Sequence, residues 1–352
     1  MPPGTTRVAS IGALPAIVER LGQKLPPLLD AAGLPRELFE DLDRPVAVTD
    51  AARLLDEAAR RTDCPHIGLL TGAQYRPETI GLAGRLAQNA RDIGSALRGL
   101  ALNLHLNGHV FVPTVTVAAD TAEFGLRLLA DVPHARLVVD VGMAGALAIL
   151  KALCGPGWKP LEVTLVHAPV GRRTPYDRYY GVPVRFGSDR NGFQFPASWL
   201  DRRVHGANAA TRAVLEREMA FAAQRYPLPP AMATRRALLA CIARGDASVR
   251  GVAATLGLHV RTLNRRLAAE GTSVAAIMTD LRYQVARDLL ANTTLSVTEI
   301  AATLVYGDTA AFTRAFRHWS GMPPSNWRQR HSNARGRLSP ARASRRGSST
   351  SR

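Results

Sequence analysis

The chain has 352 residues, 46% of them hydrophobic and 21% charged, which suffices for two domains with separate cores and excludes wholesale disorder. Its formal charge of +17 is uneven: residues 1–230 hold 26 Lys/Arg against 22 Asp/Glu, residues 231–330 hold 13 against 6, and residues 331–352 hold six arginines and no acid. A compositional bias toward Arg would raise the total without crowding it at one end, so the asymmetry points to a phosphate-bearing partner for the last third.

At the N-terminus no basic segment precedes the short apolar run Ile11 to Val18, which contains Pro15 and ends at Glu19, so it does not read as a signal peptide. Thr49 to Arg61, Ile80 to Gln88 and Ile93 to Leu106 carry helical periodicity. Val110 to Val117 alternates and is β-branched, with Glu123 to Leu129 as its hairpin partner, and Leu161 to His167 and Val184 to Phe186 read as further strands. The longest apolar run, Val141 to Leu150, is too short to span a bilayer. Cys64, Cys154 and Cys241 are too few and too widely spaced for a disulfide framework or a zinc ribbon. A cytoplasmic location with no membrane contact is therefore expected. Asn208 to Arg225 repeats Val214, Leu215, Met219 and Ala222 on one helix face, either to pack on its own domain or to form a homodimer.

Three prolines in Tyr226-Pro227-Leu228-Pro229-Pro230 interrupt that helix. The expected organisation is an α+β sensing or dimerisation domain over 1–225, with helices and a small, mainly antiparallel sheet. A proline-rich linker follows over 226–236, then an all-α domain over 237–330 and a disordered basic tail over 331–352. Serine, glycine and arginine dominate the tail, which either touches phosphate or merely solubilises the chain.

The function lies in an internal repeat. Ala253-Ala254-Thr255-Leu256 recurs as Ala301-Ala302-Thr303-Leu304, and Leu263-x-Arg265-x-Leu267 recurs as Phe312-x-Arg314-x-Phe316, so one supersecondary unit occurs twice. Each copy reads helix, turn, helix. In the first, Val252, Ala253 and Leu256 face a core, Gly257 suits a left-handed helix end, and Leu263 and Leu267 bury the next helix. In the second, Ser296-x-x-Glu299 forms a capping box, Ile300, Ala301 and Leu304 face inward, and Asp308 caps a helix buried through Phe312, Phe316 and Trp319. Ser273 to Leu290 supplies Ile277, Leu281, Val285, Leu289 and Leu290 to a long connecting helix. Subtracting the core positions leaves Val260, Arg261, Asn264 and Arg265 outward on the first recognition helix, and Thr309, Ala310, Thr313 and Arg314 on the second. Arg and Asn pair bidentately with guanine and adenine in the major groove, whereas the second set suits phosphate and thymine methyl groups. A plain helical bundle with a basic face would leave the duplicated turn unexplained.

The segment from about Ala237 to Arg330 resembles the AraC/XylS family of transcription regulators, through VAATLGLHVRTLNRRLAAEGTS, LRYQVARDLL, LSVTEIAATLVYGDTAAFTRAFRHWSG and MPPSNWR. The resemblance implies two helix-turn-helix units in successive major grooves of double-stranded promoter DNA, an effector-responsive activator, and recruitment of RNA polymerase. Cys64 to Gly72, Leu161-x-Val163-x-Leu165-x-His167, Tyr176 to Phe186 and Asn191 to Phe195 are similar to the family's arabinose-binding-type N-terminal domain. A small-molecule effector or a dimerisation role is implied, and the effector is not identified. Arg172, Arg173, Tyr176, Arg178, Tyr179 and Tyr180 are candidates to line a pocket; a closed core beside an apolar patch would favour a protein-interaction module instead.

Enzyme chemistry finds no support in motifs: G-x-G-x-x-G, Walker A, H-E-x-x-H and G-x-S-x-G are absent. His105 and His109 could share a helix face, but Gly108 intervenes and no third ligand stands near. No catalytic residue, cofactor or metal is expected. The chain departs from its relatives at Val305, where they carry glycine, and at His259, where they carry serine. Either Val305 keeps negative φ and the turn shifts to Gly307 two residues on, which is the expectation because the rest of the unit keeps its core and its Asp308 cap, or the second unit is strained and binds DNA weakly.

Overall fold

The computed structural model of the chain describes residues 4–108, 110–128, 132–225, 228–243, 248–292 and 295–336. The N-terminal part opens with β1 (Thr5–Arg7), α1 (Leu14–Arg20), α2 (Leu25–Ala32) and β2 (Pro45–Ala47), the two strands pairing antiparallel. Four helices follow, α3 (Val48–Arg61), α4 (Ile67–Gly72), α5 (Gly81–Gln88) and α6 (Ile93–Asn103), the last extended by a 3-10 turn over Leu104–Leu106. The expected helices thus form within a residue or two of their predicted ends, and Asp92 caps α6 by accepting a hydrogen bond from the Ser95 amide.

The hairpin β3 (Phe111–Ala118) and β4 (Thr121–Leu128) forms with Val115 opposite Phe124; Leu129, which the sequence assigned to it, lies outside the described residues. Behind it comes α7 (Ala135–Cys154), then β5 (Glu162–Leu165), α8 (Thr174–Tyr180), β6 (Val184–Phe186) and β7 (Gly192–Pro196). The sheet order is β3-β4-β7-β5-β6, antiparallel throughout except for the parallel pair β5 and β6.

Helix α7 is the centre of this domain, and no periodicity in the residues announces it. Its apolar residues run all the way round, since the sheet covers one side and α3 and α4 the other. At 20 residues with mean hydropathy 2.0 it is long and apolar enough to cross a membrane, but most of its surface is buried inside the domain. The crossing with α4 is close: a Cβ on Gly68 would come within 2.5 Å of the Leu137 carbonyl, and one on Gly72 within 2.2 Å of the Val141 carbonyl. Those contacts explain why glycine stands twice in the Cys64 to Gly72 stretch.

One carboxylate sits in the middle of α7. Asp140 is fully buried and accepts a hydrogen bond from the Tyr176 hydroxyl at 2.5 Å. His167 Nε2 stands 3.3 Å from its other oxygen, near enough for an ion pair though off hydrogen-bond alignment. The residues proposed from sequence to line a pocket on α8 do something else. Tyr176 and Tyr180 are core residues, the Tyr179 hydroxyl donates to the Ala144 carbonyl, Arg173 bonds Asp177 and the Val184 carbonyl, and Arg172 and Arg178 are exposed. Alternate burial along a short amphipathic helix, rather than a cavity, accounts for that Arg/Tyr pattern.

Helix α9 (Ala209–Arg225) packs on α5 through buried Leu215 and Met219, leaving Val214 and Phe221 exposed; the side chain of Ala222 is outside the described residues. Helix α10 (Pro230–Ala243) then begins where the sequence placed a linker. Pro230 takes the first helical position, where its missing N–H is not needed, so residues 230–236 are helical instead of extended. The C-terminal part continues with α11 (Val249–Thr255), α12 (Val260–Ala269), α13 (Val274–Asn292), α14 (Val297–Thr303), α15 (Thr309–Ser320) and α16 (Pro324–Gly336). Helix α16 runs past Arg330 into the segment expected to be disordered, anchored by buried Trp327 and by Arg328, which donates to the Leu290 and Leu295 carbonyls. Residues 337–352 of the expected tail lie outside the described residues.

The α6 cap carries a pH signature. Hydrogen bonding from Ser95 and the adjacent Arg91 hold the Asp92 carboxyl at about 2, below its ordinary 3.8. Because the folded value is depressed, the stabilisation is complete above the ordinary value and is lost as pH falls from about 4 toward about 2. Asp92→Asn should therefore destabilise the chain by about 1 kcal/mol near neutrality, and denaturant titrations should show the gap to wild type closing below pH 4. A gap independent of pH would mean that the charge of Asp92 plays no part.

Candidate nucleic-acid interface

The second repeat unit packs on α13 and the first on α10, which itself packs on α13. Leu263 and Leu267 of α12, Ile300 of α14, and Phe312 and Phe316 of α15 share one core with Ile277, Leu281, Val285, Leu289 and Leu290 of α13. Trp319, expected in that core, packs partly buried against it, with ring centroids 5.7 Å from Tyr283 and 6.5 Å from Phe316. Local caps set where each helix starts. Ser248 accepts from the Gly251 amide, Ser296 and Glu299 form the reciprocal capping box, Ser273 accepts from the Ala276 amide, and Asp308 accepts from the Ala311 amide at 2.6 Å. His259 caps α12 with its ring: Nδ1 accepts from the Arg261 amide at 3.3 Å. That geometry requires the neutral tautomer with the proton on Nε2, which points a donor away from the helix.

On α12, Arg261, Asn264 and Arg265 are exposed, while Val260 is half-buried against the core and offers only part of its side chain. On α15, Ala310 and Arg314 are exposed. Thr309 and Thr313 are half-buried and already engaged, the first with the Thr298 hydroxyl at 3.2 Å and the second donating to the Thr309 carbonyl at 2.8 Å. Their hydroxyl protons are thus engaged inside the protein, which leaves the hydroxyl oxygens as acceptors and the methyl groups for contacts outside. Two further arginines join the face. Arg317 follows Ala310 by seven residues and Arg314 by three, which sets all three on one side of α15, and Arg266 flanks Arg265; both are exposed. Extending the helix face one more turn in the sequence would have found Arg317. Among the described residues, Arg261, Arg265, Arg314 and Arg317 make no ion pair with a carboxylate, so four guanidiniums face solvent without an internal countercharge.

The turns of the two units have the same hydrogen bonds and different residues. In the first, Gly257 sits at φ +63, with its N–H bonded to the Ala254 carbonyl and the Leu258 N–H to Ala253. In the second, Val305 sits at φ +58, with its N–H bonded to Ala302 and the Tyr306 N–H to Ala301. The expected shift of the turn to Gly307 does not occur, and Gly307 is not left-handed. Two observations explain why the turn stays. Leu304 and Tyr306 must remain on either side of it to reach the core, and Arg282 of α13 fixes it from outside, donating to the Val305 carbonyl at 3.4 Å with its guanidinium 4.7 Å from the Tyr306 ring centroid. Packing therefore holds a β-branched residue in a conformation that costs about 1 to 3 kcal/mol.

Two family profiles match the chain: one described as the arabinose-binding domain of AraC transcription regulator, N-terminal, over residues 22–204, and a helix-turn-helix domain over 252–330. The transcriptional regulator VirS of Mycobacterium tuberculosis is 28% identical over 330 residues, covering 92% of this chain and 96% of that protein. An uncharacterised helix-turn-helix-type transcriptional regulator of the same species is 32% identical over 320 residues, covering 82% of this chain and 87% of that protein. The crystal structure of the transcriptional regulator CdpR from Pseudomonas aeruginosa aligns with 26% identity and a TM-score of 0.43, over 88% of this chain and 97% of that one.

Since Val305 is strained, Val305→Gly should raise stability by about 1 kcal/mol, seen as a melting midpoint higher by a few degrees. An unchanged midpoint would mean that the turn carries no strain.

Proposed function

The chain belongs to the AraC family of DNA-binding transcription regulators, and from that premise we propose that α12 and α15 enter successive major grooves of promoter DNA. It acts as a sequence-specific regulator of transcription and not as an enzyme. In the proposed contact, Arg261, Asn264 and Arg265 read bases, with Val260 touching the groove through its exposed edge. Ala310 and the methyl groups of Thr309 and Thr313 meet thymine, and Arg314 and Arg317 hold phosphate. The observation that carries this reading is the pair of exposed, unpaired arginine faces fixed by one shared core, since a rigid spacing between two recognition helices is what consecutive grooves demand. The His259 Nε2–H would add a phosphate contact at the start of α12.

The division of labour follows from charge and architecture. An N-terminal domain near electrical balance senses a small-molecule effector in the cytoplasm, and the basic C-terminal domain binds DNA and recruits RNA polymerase as an activator. Val214 and Phe221 on α9 leave a face on which a second copy could pack to make a homodimer. No catalytic residue, metal or cofactor enters this scheme.

Selection of a target site from a random duplex library, followed by titration of variants, tests the assignment. Arg265→Ala should weaken binding to the selected site by about 1 to 3 kcal/mol and relax preference at one base pair. Arg317→Ala should weaken binding to all sequences alike and reduce the slope of log affinity against log salt by about one. Equal losses on every sequence for Arg265→Ala would remove it from the base readers.

A further inference from the structure

Strand β3 has two occupied faces. Val112 is buried in the core of the C-terminal domain together with Ala237 and Leu238 of α10. Its neighbours Phe111 and Pro113, on the opposite face, line a pocket of about 110 Å³ between β3, β4, α3, α6 and α7. That is several times the space a water molecule needs. Leu55, Leu104, Phe124, Val141 and Leu150 supply most of the remaining wall.

The polar groups of the pocket are few and nearly all engaged. The Thr6 and Ser10 hydroxyls bond each other at 2.7 Å, and the Tyr75 hydroxyl donates to the Ser10 carbonyl at 2.7 Å. Asn107, only 7% exposed, differs: its Oδ1 is buried without a hydrogen-bond partner. No carboxylate, ammonium, imidazole or guanidinium is among the described residues lining the pocket. Among the described lining residues a charged ligand would find no countercharge and a sugar few partners for its hydroxyls, a loss that disfavours both despite the arabinose-binding description of the domain.

The same walls touch the DNA-binding domain. Arg236 of α10 is 6% exposed and donates to the Ala101 carbonyl at 3.4 Å and the Phe111 carbonyl at 3.5 Å, both long bonds. Ala101 lies on α6 between the pocket residue Leu100 and Leu104 of the 3-10 turn that follows, and Phe111 is itself a wall. Burial lowers the Arg236 guanidinium to about 10, so it remains a cation at neutral pH, with no carboxylate against it among the described residues. A buried cation that, among the described residues, is held by two stretched carbonyl bonds is readily made tighter or looser by small movements of either carbonyl.

We propose that this pocket takes a small, mostly apolar effector with one hydroxyl or amide N–H that donates to Asn107, and that α6 and β3 transmit its presence to α10 through Arg236. The proposal rests on the reading of the chain as an effector-responsive DNA-binding regulator and deepens it. The ligand displaces Leu104 and Phe111, the carbonyls of Ala101 and Phe111 move with them, and α10 carries the change into the core that holds α12.

The test uses the full chain with benzyl alcohol, toluene and L-arabinose as probes. Thermal melting should show stabilisation by benzyl alcohol, binding of toluene about three- to tenfold weaker, and no effect of arabinose. Asn107→Leu should erase the preference for the alcohol while toluene still binds, and Ala146→Leu, which fills the pocket, should remove both effects. Benzyl alcohol should change wild-type affinity for the selected DNA site by about fivefold or more, and Arg236→Met should bind the probe as before with DNA affinity no longer responding. If Arg236→Met does not fold, Arg236→Lys, which keeps the charge and loses the second bond, should show a reduced response.

Stabilisation by arabinose equal to that by benzyl alcohol would overturn the ligand class. Binding undisturbed by Ala146→Leu would overturn the location. A wild-type DNA affinity indifferent to bound probe, or a full response in Arg236→Met, would overturn the coupling. Loss of sequence preference in the unliganded wild type would instead fail the regulator reading itself, which the Arg265→Ala titration scores separately.

Discussion

The helix-turn-helix units share one core, in which α13 packs on α14 and α15 of the second unit and on α10, and α10 holds α11 and α12 of the first; the geometry of the DNA-binding third depends on that chain of contacts. Leu281, Val285 and Leu289 of α13 and Ala237, Leu238 and Cys241 of α10 belong to a single close-packed core, so neither unit is positioned without the other. The two recognition helices therefore behave as a rigid pair. Neither unit is large enough to bury its own apolar residues, so α10 completes the core of the first, α13 and α16 that of the second, and the contact of α10 with α13 joins them.

That sharing explains how the chain tolerates Val305 at a left-handed position. Leu304 and Tyr306 are tied into the core on each side, and Arg282 reaches from α13 to the turn. A local preference of about 1 to 3 kcal/mol is small against the loss of two buried side chains. The turn keeps the hydrogen bonds of its counterpart at Gly257, and the strain is confined to one residue beside α15.

In the N-terminal domain, α7 plays the corresponding role. It is covered by the sheet on one side and by α3 and α4 on the other, and it holds a buried carboxylate, Asp140, that ties the Tyr176 and His167 segments to it. Strand β3 then joins the two halves of the molecule, since its pleat gives one face to the pocket beside α7 and the other to α10. The connection between domains is thus a packed interface, with only a short link of prolines and neighbours between α9 and α10.

What the sequence determined by itself was whatever depends on near neighbours. The duplicated tetrapeptide, the capping box at Ser296 and Glu299, the Asp308 cap, the left-handed Gly257 and the amphipathic faces of α3, α12 and α15 are all written within one or two helical turns, and they located the two units and their exposed Arg261, Asn264, Arg265 and Arg314. Tertiary structure decided the rest, because it turns on which distant faces meet. Helix α7 has no polar face to betray its period, since neighbours cover it on all sides. Tyr176 and Tyr180 look like pocket residues until α7 and the sheet close over them. Arg236 reads as part of a linker until α10 lies against β3, and Asn107 becomes a lone acceptor only when segments separated by a hundred residues wall it in. Val305 shows the limit most directly: its own preference favoured moving the turn, and the packing of Leu304, Tyr306 and Arg282 around it outweighed that preference.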